Sequence, residues 1–471
     1  MTGTPAAMSA MPVVLDRDVR RLDGGRVLLG GDPGRLVRLR PRGSEVLRRL
    51  ATGEQVDPPA RALARTLVDG GLAHPRPGAA PVVDLTVVVP VRDRAAELDR
   101  CLTALGHDVP VLVVDDGSCD PLAVAGVCRR HGARVLHRCV NEGPAAARNA
   151  GLAATSTALV AYLDSDCLPP SGWLAALVGH FADPAVGAVA PRVRGGAGGS
   201  RLLARYARAR GPLDMGPREA QVRPGGRVPY VPTAALVVRR AALLGTVPSS
   251  SAPFDPALRY GEDVDLVWRL HDAGWRVRYD PRTVVGHEEP DGWGAWLQRR
   301  HRYGNSAAPL AQRHGNRLTP LVLPPWPTAA WLLMTLGRPL PALAAAAVPA
   351  VRLHRRLRGT GLPAGICAQT AVRATGQGVL ATAAGLGGAG TVVTAPVLLT
   401  LLAVRATRPA AAVALLAPPL LEWVTRRPRL DPLRYCALRL MDDLAYASGV
   451  WRGAATARTT APLRPRCTRP R

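Results

Sequence analysis

Residues 82–290 alternate short apolar runs with stretches in which apolar residues recur at helical spacing. The runs "LTVVVPV", "VPVLVVDDG", "ARVLHR" and "ALVAYLDSD" are typical of buried β-strands, and a helical or loop stretch follows each one. This alternation predicts an α/β fold in which helices cover a mostly parallel sheet. Ligands of such sheets bind beyond the carboxyl ends of the strands, so polar residues at those ends are the candidates for chemistry.

A shorter unit precedes this region, over residues 11–76. The stretch "RLDGGRVLLGGDPGRLVRL" alternates β-type runs with Gly-Gly and Asp-Pro-Gly turn signals, which predicts a hairpin. Two helical stretches follow, and Gly70 and Gly71 end the second one. The pattern predicts a small winged-helix-like module, and residues 74–81 form a linker to the next domain.

The chain becomes more apolar after the predicted catalytic domain, which we place at residues 82–315. Within residues 318–471, the run from Gly378 to Val404 has 27 residues without a charge, long enough to cross a hydrocarbon core of about 30 Å. The loops between the apolar runs are rich in arginine, which favours their retention in the cytoplasm. We therefore predict an apolar helical region attached to the lipid of the cell membrane, with the catalytic domain facing the cytoplasm. The alternative is a buried, alanine-rich helical domain.

The net charge of +26 comes from arginine alone, because all 61 basic residues are arginine. Arginine is spread along the chain and aromatic residues make up only 4% of it, whereas a nucleic-acid-binding protein concentrates charge and aromatic residues on one patch. We therefore expect no nucleic-acid partner. The eight cysteines form no CxxC pair, which argues against zinc and against a disulfide framework.

Two aspartates, Asp164 and Asp166, follow the apolar run "ALVAYL". Their like charges repel each other at the end of a buried strand, and Mg²⁺ or Mn²⁺ would remove this repulsion while binding a diphosphate. His287 follows the β-type run "RTVVGH" and is a candidate third metal ligand. The alternatives are a capping turn at Asp166 and a structural role for the histidine.

Three further segments carry candidate chemistry. Asp115 and Asp116 follow the strand "VLVV", where Asp115 can accept a hydrogen bond from a nucleobase or cap the next helix. Arg148 lies near the start of a helix, which suits a phosphate contact but is also compatible with a solvated helix face. Glu262 and Asp263 begin an amphipathic helix, and a carboxylate there can cap the helix or act as a general base.

Taken in order, "VVVPVRDR", "VVDDGSCD", "NEGPAAARNAGL", "YLDSD" and "GEDVDLVWRL…GH" resemble the family 2 glycosyltransferases of the GT-A fold, over residues 84–290. This resemblance implies an inverting transfer from a UDP-sugar donor, with Asp263 as the base and Glu262 orienting it or the acceptor. It also implies a nucleotide-sugar site and a metal site. The nucleotide-sugar residues are Pro90, Arg92, Asp115, Asp116, Arg148 and Asp164, and the ligands of Mg²⁺ or Mn²⁺ are Asp164 and Asp166.

The chain departs from the family pattern at two points. Arg94 stands where the family often has an acidic residue, and Pro253 replaces a glycine before "FD". At both positions the family pattern does not predict the shape of the neighbouring loop in this chain.

A narrower resemblance, carried by "RRLDGGRVLLGGDPGRLVRL" and "RHRYGNSAAPLAQRHG", is to a branch of the family that glycosylates a small redox cofactor made from a ribosomal peptide. It implies that glucose from UDP-glucose is added repeatedly to this peptide-derived acceptor, giving a β-1,4-linked oligoglucose chain. The N-terminal module would present the acceptor or serve only as a structural cap.

Other functions compatible with the sequence are glycosylation of a polyprenyl phosphate or cell-wall glycan and a non-catalytic scaffold that binds a sugar nucleotide. A nucleotidyltransferase is disfavoured because "VPVRDRAAEL" lacks a glycine-rich loop.

Overall fold

The computed structural model describes residues 12–52, 58–196, 201–248, 252–290, 292–319 and 321–468. The chain forms two compact units, residues 1–292 and residues 293–471.

The first unit begins with a small module whose core is formed by buried leucines, among them Leu28, Leu67 and Leu72. Its elements are β1 (Val13–Leu15), β2 (Arg20–Leu22), β3 (Val27–Gly30), β4 (Arg35–Arg38), α1 (Pro41–Thr52), α2 (Pro58–Asp69) and β5 (Ala73–Pro75). β2, β3 and β4 form an antiparallel sheet, so the predicted hairpin is confirmed as β3–β4. β1 pairs with β5, which extends into the predicted linker.

A nine-stranded sheet forms the rest of this unit. Its strands are β6 (Leu85–Val91), β7 (Val111–Asp116), β8 (Arg134–Arg138), β9 (Leu159–Leu163), β10 (Cys167–Leu168), β11 (Val186–Gly195), β12 (Ala220–Val222), β13 (Ala235–Arg239) and β14 (Arg276–His287). The helices between them are α3 (Ala95–Leu105), α4 (Pro121–Arg130), α5 (Pro144–Ala153), α6 (Trp173–Val178), α7 (Arg201–Ala209), α8 (Arg240–Leu244) and α9 (Glu262–Asp272).

The sheet is mixed, with the order β10-β14-β11-β13-β9-β6-β7-β8 and β12 paired to β14. The α/β class is as predicted, but the prediction of a mostly parallel sheet is wrong, because only four of the eight strand pairings are parallel. β13 runs antiparallel between β9 and β11. Its sequence, "ALVVR", is as apolar as that of a buried parallel strand, so the pattern alone does not reveal its direction.

The strand order indicates a ligand-binding crevice at the carboxyl ends of β6 and β9. The chain moves from β6 to β7 and β8 on one side and returns to pair β9 with the other side of β6. Ligands of α/β sheets bind where the strand order reverses in this way. Helix α5 packs closely here, because a Cβ on Gly151 would lie 2.4 Å from Val88 Cγ1, and this close packing brings Arg148 against the sheet.

Strand β14 changes register halfway along its length. Pro191 of β11 pairs with Asp280, whereas the next residue, Arg192, pairs with Val284. Beyond this bulge, β14 pairs with the two-residue strand β10, and Cys167 lies opposite His287. The bulge therefore separates the inner part of β14 from the part that reaches the crevice.

The second unit is helical, with one short pair of parallel strands. Its elements are α10 (Trp293–Asn305), α11 (Ala307–His314), β15 (Val322–Leu323), α12 (Pro325–Thr335), α13 (Pro339–Arg358), α14 (Ala364–Val392), α15 (Ala395–Ala403), α16 (Arg408–Arg426), α17 (Pro432–Thr456) and β16 (Arg466–Cys467). The buried side chain of Arg439 forms ion pairs with Glu422 and Asp443.

The predicted attachment to the cell membrane is wrong. Across the described ranges of the chain, no helix combines the length and the apolar character that crossing a bilayer requires. The uncharged run from Gly378 to Val404 is divided between α14 and α15, and α15 restarts with Pro396 in its first turn. Proline favours the start of a helix and disfavours its continuation, so this run does not form a single helix.

Candidate active site

Arg148 joins two of the predicted site segments. The residue lies on α5 and is only 3% exposed, so it does not belong to a solvated helix face. Its Nη2 lies 2.7 Å from Asp164 Oδ1, just after β9, and its Nη1 lies 2.6 Å from Glu262 Oε1 at the start of α9. Burial lowers the pKa of Arg148, but the two carboxylates outweigh burial and hold the pKa above its usual range.

Asp166 is buried at the end of β9 and faces two basic side chains. Arg94, after β6, donates from Nη1 to Asp166 Oδ2 at 2.7 Å. The other carboxylate oxygen, Oδ1, lies 3.5 Å from His287 Nε2. The helix that follows is α6, whose N-cap is Gly172, so Asp166 does not cap it.

The pairing of β10 with β14 brings His287 to Asp166, although the two residues are far apart in sequence. The backbone N–H of Glu288 donates to the carbonyl oxygen of Asp166 at 2.9 Å and fixes this approach. Behind the ring, His287 Nδ1 lies 3.5 Å from Glu289 Oε1. A carboxylate behind a histidine in this way is typical of histidine ligands to metals.

Asp166 and His287 are suited to a divalent cation that binds few protein side chains. Within the ranges that the structure describes, no group of three or more His, Cys, Asp or Glu side chains is arranged to hold a metal ion. Asp166 Oδ1 and His287 Nε2, however, are close enough to share one ion, and Mg²⁺ commonly uses one or two carboxylates and completes its shell with substrate phosphate and water. The third predicted ligand, Asp164, is hydrogen-bonded to Arg148.

Two adjacent aspartates at the end of β7 have different partners. Asp115 accepts from the Ser118 hydroxyl at 2.5 Å and its other oxygen lies 3.0 Å from His137 Nδ1. Asp116 forms an ion pair with Arg138 and accepts from the backbone N–H of Gly143 at 2.7 Å. Asp116 therefore fixes the turn before α5, while Asp115 lies at the strand end itself.

Glu262 and Asp263 begin α9 after Gly261, whose φ of 83° favours glycine. Burial raises the pKa of Glu262, although Arg148 opposes the shift. Burial and the neighbouring charge of Glu262 raise the pKa of Asp263 to about 7. A carboxylate with such a pKa is suited to accept a proton near neutral pH.

The loop after β6 completes the crevice. Pro90 lies in β6 opposite Val114 of β7. Arg92, half exposed, approaches Asp93, with Nε 3.3 Å from Oδ2. Asp93 has a left-handed backbone, with φ of 56°, and its carboxylate accepts from the backbone N–H of Cys119 at 2.6 Å. The loops after β6 and β7 are thus tied together.

Four side chains at this site were not predicted to belong to it. The sequence gives only weak indications of their roles, because Arg94 is a departure from a family pattern and single polar residues in loops and at strand ends are common. The four are Arg94, Ser118, His137 and Glu289.

Comparison with known proteins gives the class of this chain. The sequence profile of "Glycosyl transferase family 2" matches residues 86–243, a range that runs from β6 to β13 and ends before α9 and His287. The mannosyltransferase PcManGT from Pyrobaculum calidifontis, solved with GDP-Man and Mn²⁺, is 21% identical and aligns with a TM-score of 0.37 over 65% of this chain and 88% of its own. The profile, together with the strand-end site, defines the class as a glycosyltransferase.

Named relatives indicate which branch of the glycosyltransferases this chain resembles. The pre-mycofactocin glycosyltransferase of Mycobacterium tuberculosis (strain ATCC 25618 / H37Rv) is 40% identical over 472 residues, which cover 96% of this chain and 97% of the relative. An N-acetylglucosaminyltransferase of Neorhizobium galegae is 28% identical over 52% of this chain and 60% of its own. The chain therefore belongs to glycosyltransferase family 2, within the family of the pre-mycofactocin glycosyltransferase.

Proposed function

We propose that this enzyme transfers glucose from UDP-glucose to premycofactocin, with inversion at the anomeric carbon and with a requirement for Mg²⁺ or Mn²⁺. Repeated β-1,4 transfers would extend the product to an oligoglucose chain. The acceptor is proposed because the similarity to the named relative extends over 96% of this chain and includes the N-terminal module. The observation that carries the chemistry is the bridge from Arg148 to Asp164 and Glu262, which links the donor strand to the helix of the base.

We assign the donor nucleotide to the carboxyl ends of β6 and β7. Pro90, Arg92 and Asp115 would contact the uridine, because they are at the strand ends beside the crevice. Asp115 is held by Ser118 and His137, so its carboxylate has a fixed orientation. Asp116 would support this site indirectly, because its oxygens already bind the turn before α5.

The diphosphate would bind at the end of β9. Asp166 and His287 would hold the cation, and Asp164, positioned by Arg148, would lie beside it. The cation, when bound, stabilises the negative charge that develops on the departing UDP. Arg148 Nη2 donates to Asp164 Oδ1 at 2.7 Å, so its guanidinium would supply a fixed positive charge close to the same phosphates.

Asp263 would act as the base. The acceptor hydroxyl transfers its proton to the Asp263 carboxylate while its oxygen attacks the anomeric carbon. The bond from that carbon to the phosphate oxygen breaks in the same step, and UDP leaves with the electron pair. Glu262, fixed by Arg148, would hold the first turn of α9 in place during this displacement.

A labelling experiment tests the donor and the acceptor together. The purified full chain is incubated with UDP-[¹⁴C]glucose, Mn²⁺ and separated fractions containing premycofactocin, polyprenyl phosphate or cell-wall glycan. We expect label only in the premycofactocin fraction. Label in the lipid or glycan fraction would contradict the proposed acceptor, although it would leave the glycosyltransferase activity intact.

Asp263→Asn tests the base. We expect turnover to fall by about 10²- to 10⁴-fold while UDP affinity stays unchanged, because Asp263 lies on α9 and not at the nucleotide strands. Asp272→Asn, exposed at the other end of α9, is the matched control and should retain full activity. Unchanged turnover in Asp263→Asn would favour a different base.

A further inference from the structure

Arg94 contacts the carboxylate that we assign to the cation. Its Nη1 is 2.7 Å from Asp166 Oδ2, and the other oxygen of Asp166 faces His287. The side chain of Arg94 is 44% exposed, whereas that of Asp166 is 10% exposed. A partly exposed arginine side chain therefore neutralises a largely buried carboxylate.

We infer that Arg94 couples the binding of the divalent cation to the binding of the donor diphosphate. This inference rests on the proposed function, in which Asp166 is a cation ligand. A cation that binds Asp166 repels the guanidinium and withdraws the negative charge that holds it. The cation would bind on the Oδ1 side and Arg94 is on the Oδ2 side of the same carboxylate, so cation binding in the absence of donor weakens the Arg94–Asp166 pair and lowers the apparent affinity for the cation.

The donor offsets this loss of cation affinity, because its diphosphate can bind Arg94 in place of Asp166. Arginine matches the geometry of phosphate through two parallel N–H donors. Arg94 follows β6 at the switch point of the sheet, so a short rotation of its exposed side chain carries the guanidinium from Asp166 to a phosphate at the same strand ends. Because such coupling is reciprocal, the cation also strengthens donor binding.

Two neighbouring arginines are not suited to move from a carboxylate to a donor phosphate as Arg94 does. Arg148 is buried and holds two carboxylates at once. Arg100, on α3, forms a two-pronged pair with Glu288, with both N–O distances at 2.8 Å. Glu288 is adjacent to His287 in the chain but has no assigned role at the cation. Arg100 is thus a matched reference for the loss of one positive charge near this site.

The test measures Mn²⁺ binding directly, from the paramagnetic resonance signal of free Mn²⁺, with the full chain. We expect Arg94→Met to bind Mn²⁺ about two- to fivefold more tightly than the wild type without UDP, because a partly exposed ion pair is lost. With saturating UDP this gain should disappear or reverse. The KM for UDP-glucose should rise in the same variant, since a phosphate contact is removed.

Arg100→Met is the control and should change the Mn²⁺ affinity in neither condition by more than about 1.5-fold. Equal gains in Arg94→Met and Arg100→Met would overturn the inference, because they would reflect net charge alone. Mn²⁺ binding that is identical in wild type and Arg94→Met would also overturn it while leaving the proposed function intact. If neither protein bound Mn²⁺ even with UDP, both the inference and the proposed metal requirement would be wrong. Thermal unfolding of each variant verifies that it is folded.

Discussion

Arg148 donates a 2.6 Å hydrogen bond to Glu262, a residue 114 positions later in the chain. The same guanidinium binds Asp164, so the two carboxylates share one buried positive charge. Removing that charge would leave two acidic groups facing each other with no counter-ion. This arrangement gives the first prediction.

Arg148→Met should lower the free energy of unfolding of the full chain by about 3–5 kcal/mol, the usual cost of breaking a buried ion pair. Urea unfolding followed by tryptophan fluorescence measures this change. Arg134→Met, on the exposed edge of β8, is the control and should change stability by less than about 0.5 kcal/mol. Equal effects of the two substitutions would show that the bridge is not important for stability.

The activity should rise with pH through about 7, because the base is active only when ionised and the pKa of Asp263 is raised to about 7. The measurement is kcat/KM for the transfer between about pH 5.5 and 8.5, so that the pH range extends about one and a half units on either side of this pKa. Asp272→Asn should retain the same acid limb. A profile without an acid limb in both proteins would argue against Asp263 as the base.

The same shift predicts how stability depends on pH. Between the unfolded pKa of about 4 and the folded pKa of about 7, the folded protein keeps the proton of Asp263 and the unfolded chain has lost it. The Asp263 carboxyl therefore lowers the free energy of unfolding as the pH rises from about 4 to about 7. Asp263→Asn should be stabilised relative to the wild type at pH values above about 7 and much less so below about 4.

Glu289→Gln should weaken Mn²⁺ binding by about 10- to 100-fold, because the carboxylate behind a histidine ligand orients the ring and increases its basicity. Calorimetric titration with Mn²⁺ and UDP measures this effect. Glu288→Gln changes the neighbouring residue, which pairs with Arg100, and should leave the affinity within about twofold. An effect of Glu288→Gln as large as that of Glu289→Gln would contradict the role assigned to Glu289.

Asp16 and Arg227 should be coupled energetically, because they join the N-terminal module to the sheet domain at 2.7 Å. Burial raises the pKa of Asp16, but hydrogen bonds from His74 and Arg227 outweigh it and hold the pKa below its usual range. A double-mutant cycle with Asp16→Asn and Arg227→Met should give a coupling energy of about 0.5–3 kcal/mol at pH 7. This coupling should shrink as the pH falls below about 4, because Asp16 is then protonated in the unfolded chain and its ionised form no longer contributes in full.

The control cycle uses Asp23 and Arg38, which approach to 3.9 Å with side chains that are 44% and 49% exposed. An exposed pair of this kind should couple by less than about 1 kcal/mol. If the two cycles gave the same small value, the contact between the module and the sheet would not depend on Asp16.

The strand-end acids could be predicted from sequence because an apolar run followed by charge is a local pattern. Asp115 lies in the last two residues of β7, and Asp164 directly follows β9. The pairings between segments could not be predicted, since only the fold brings Arg148 to Asp164 and Glu262. The same holds for the contact of Arg94 with Asp166. The mixed direction of the sheet was missed because β13, which is antiparallel to both of its neighbours, is as apolar as the parallel strands β6 and β7.

The membrane prediction failed because an uncharged, apolar stretch of sequence does not by itself show that its residues form one helix. α14 has 29 residues but includes the polar residues Arg373 and Gln377, and the more apolar α15 has only nine residues. A span requires length and apolar character in the same helix, and the described helices do not combine them.

The register change in β14 has a consequence for variation among relatives. Residues 281–283 lie outside the pairing with β11, between Asp280 and Val284. We expect that an insertion or deletion within these three positions would be absorbed by the bulge, with β14 still paired to β11 on both sides and His287 still opposite Cys167. The length of this segment could then change without moving the histidine.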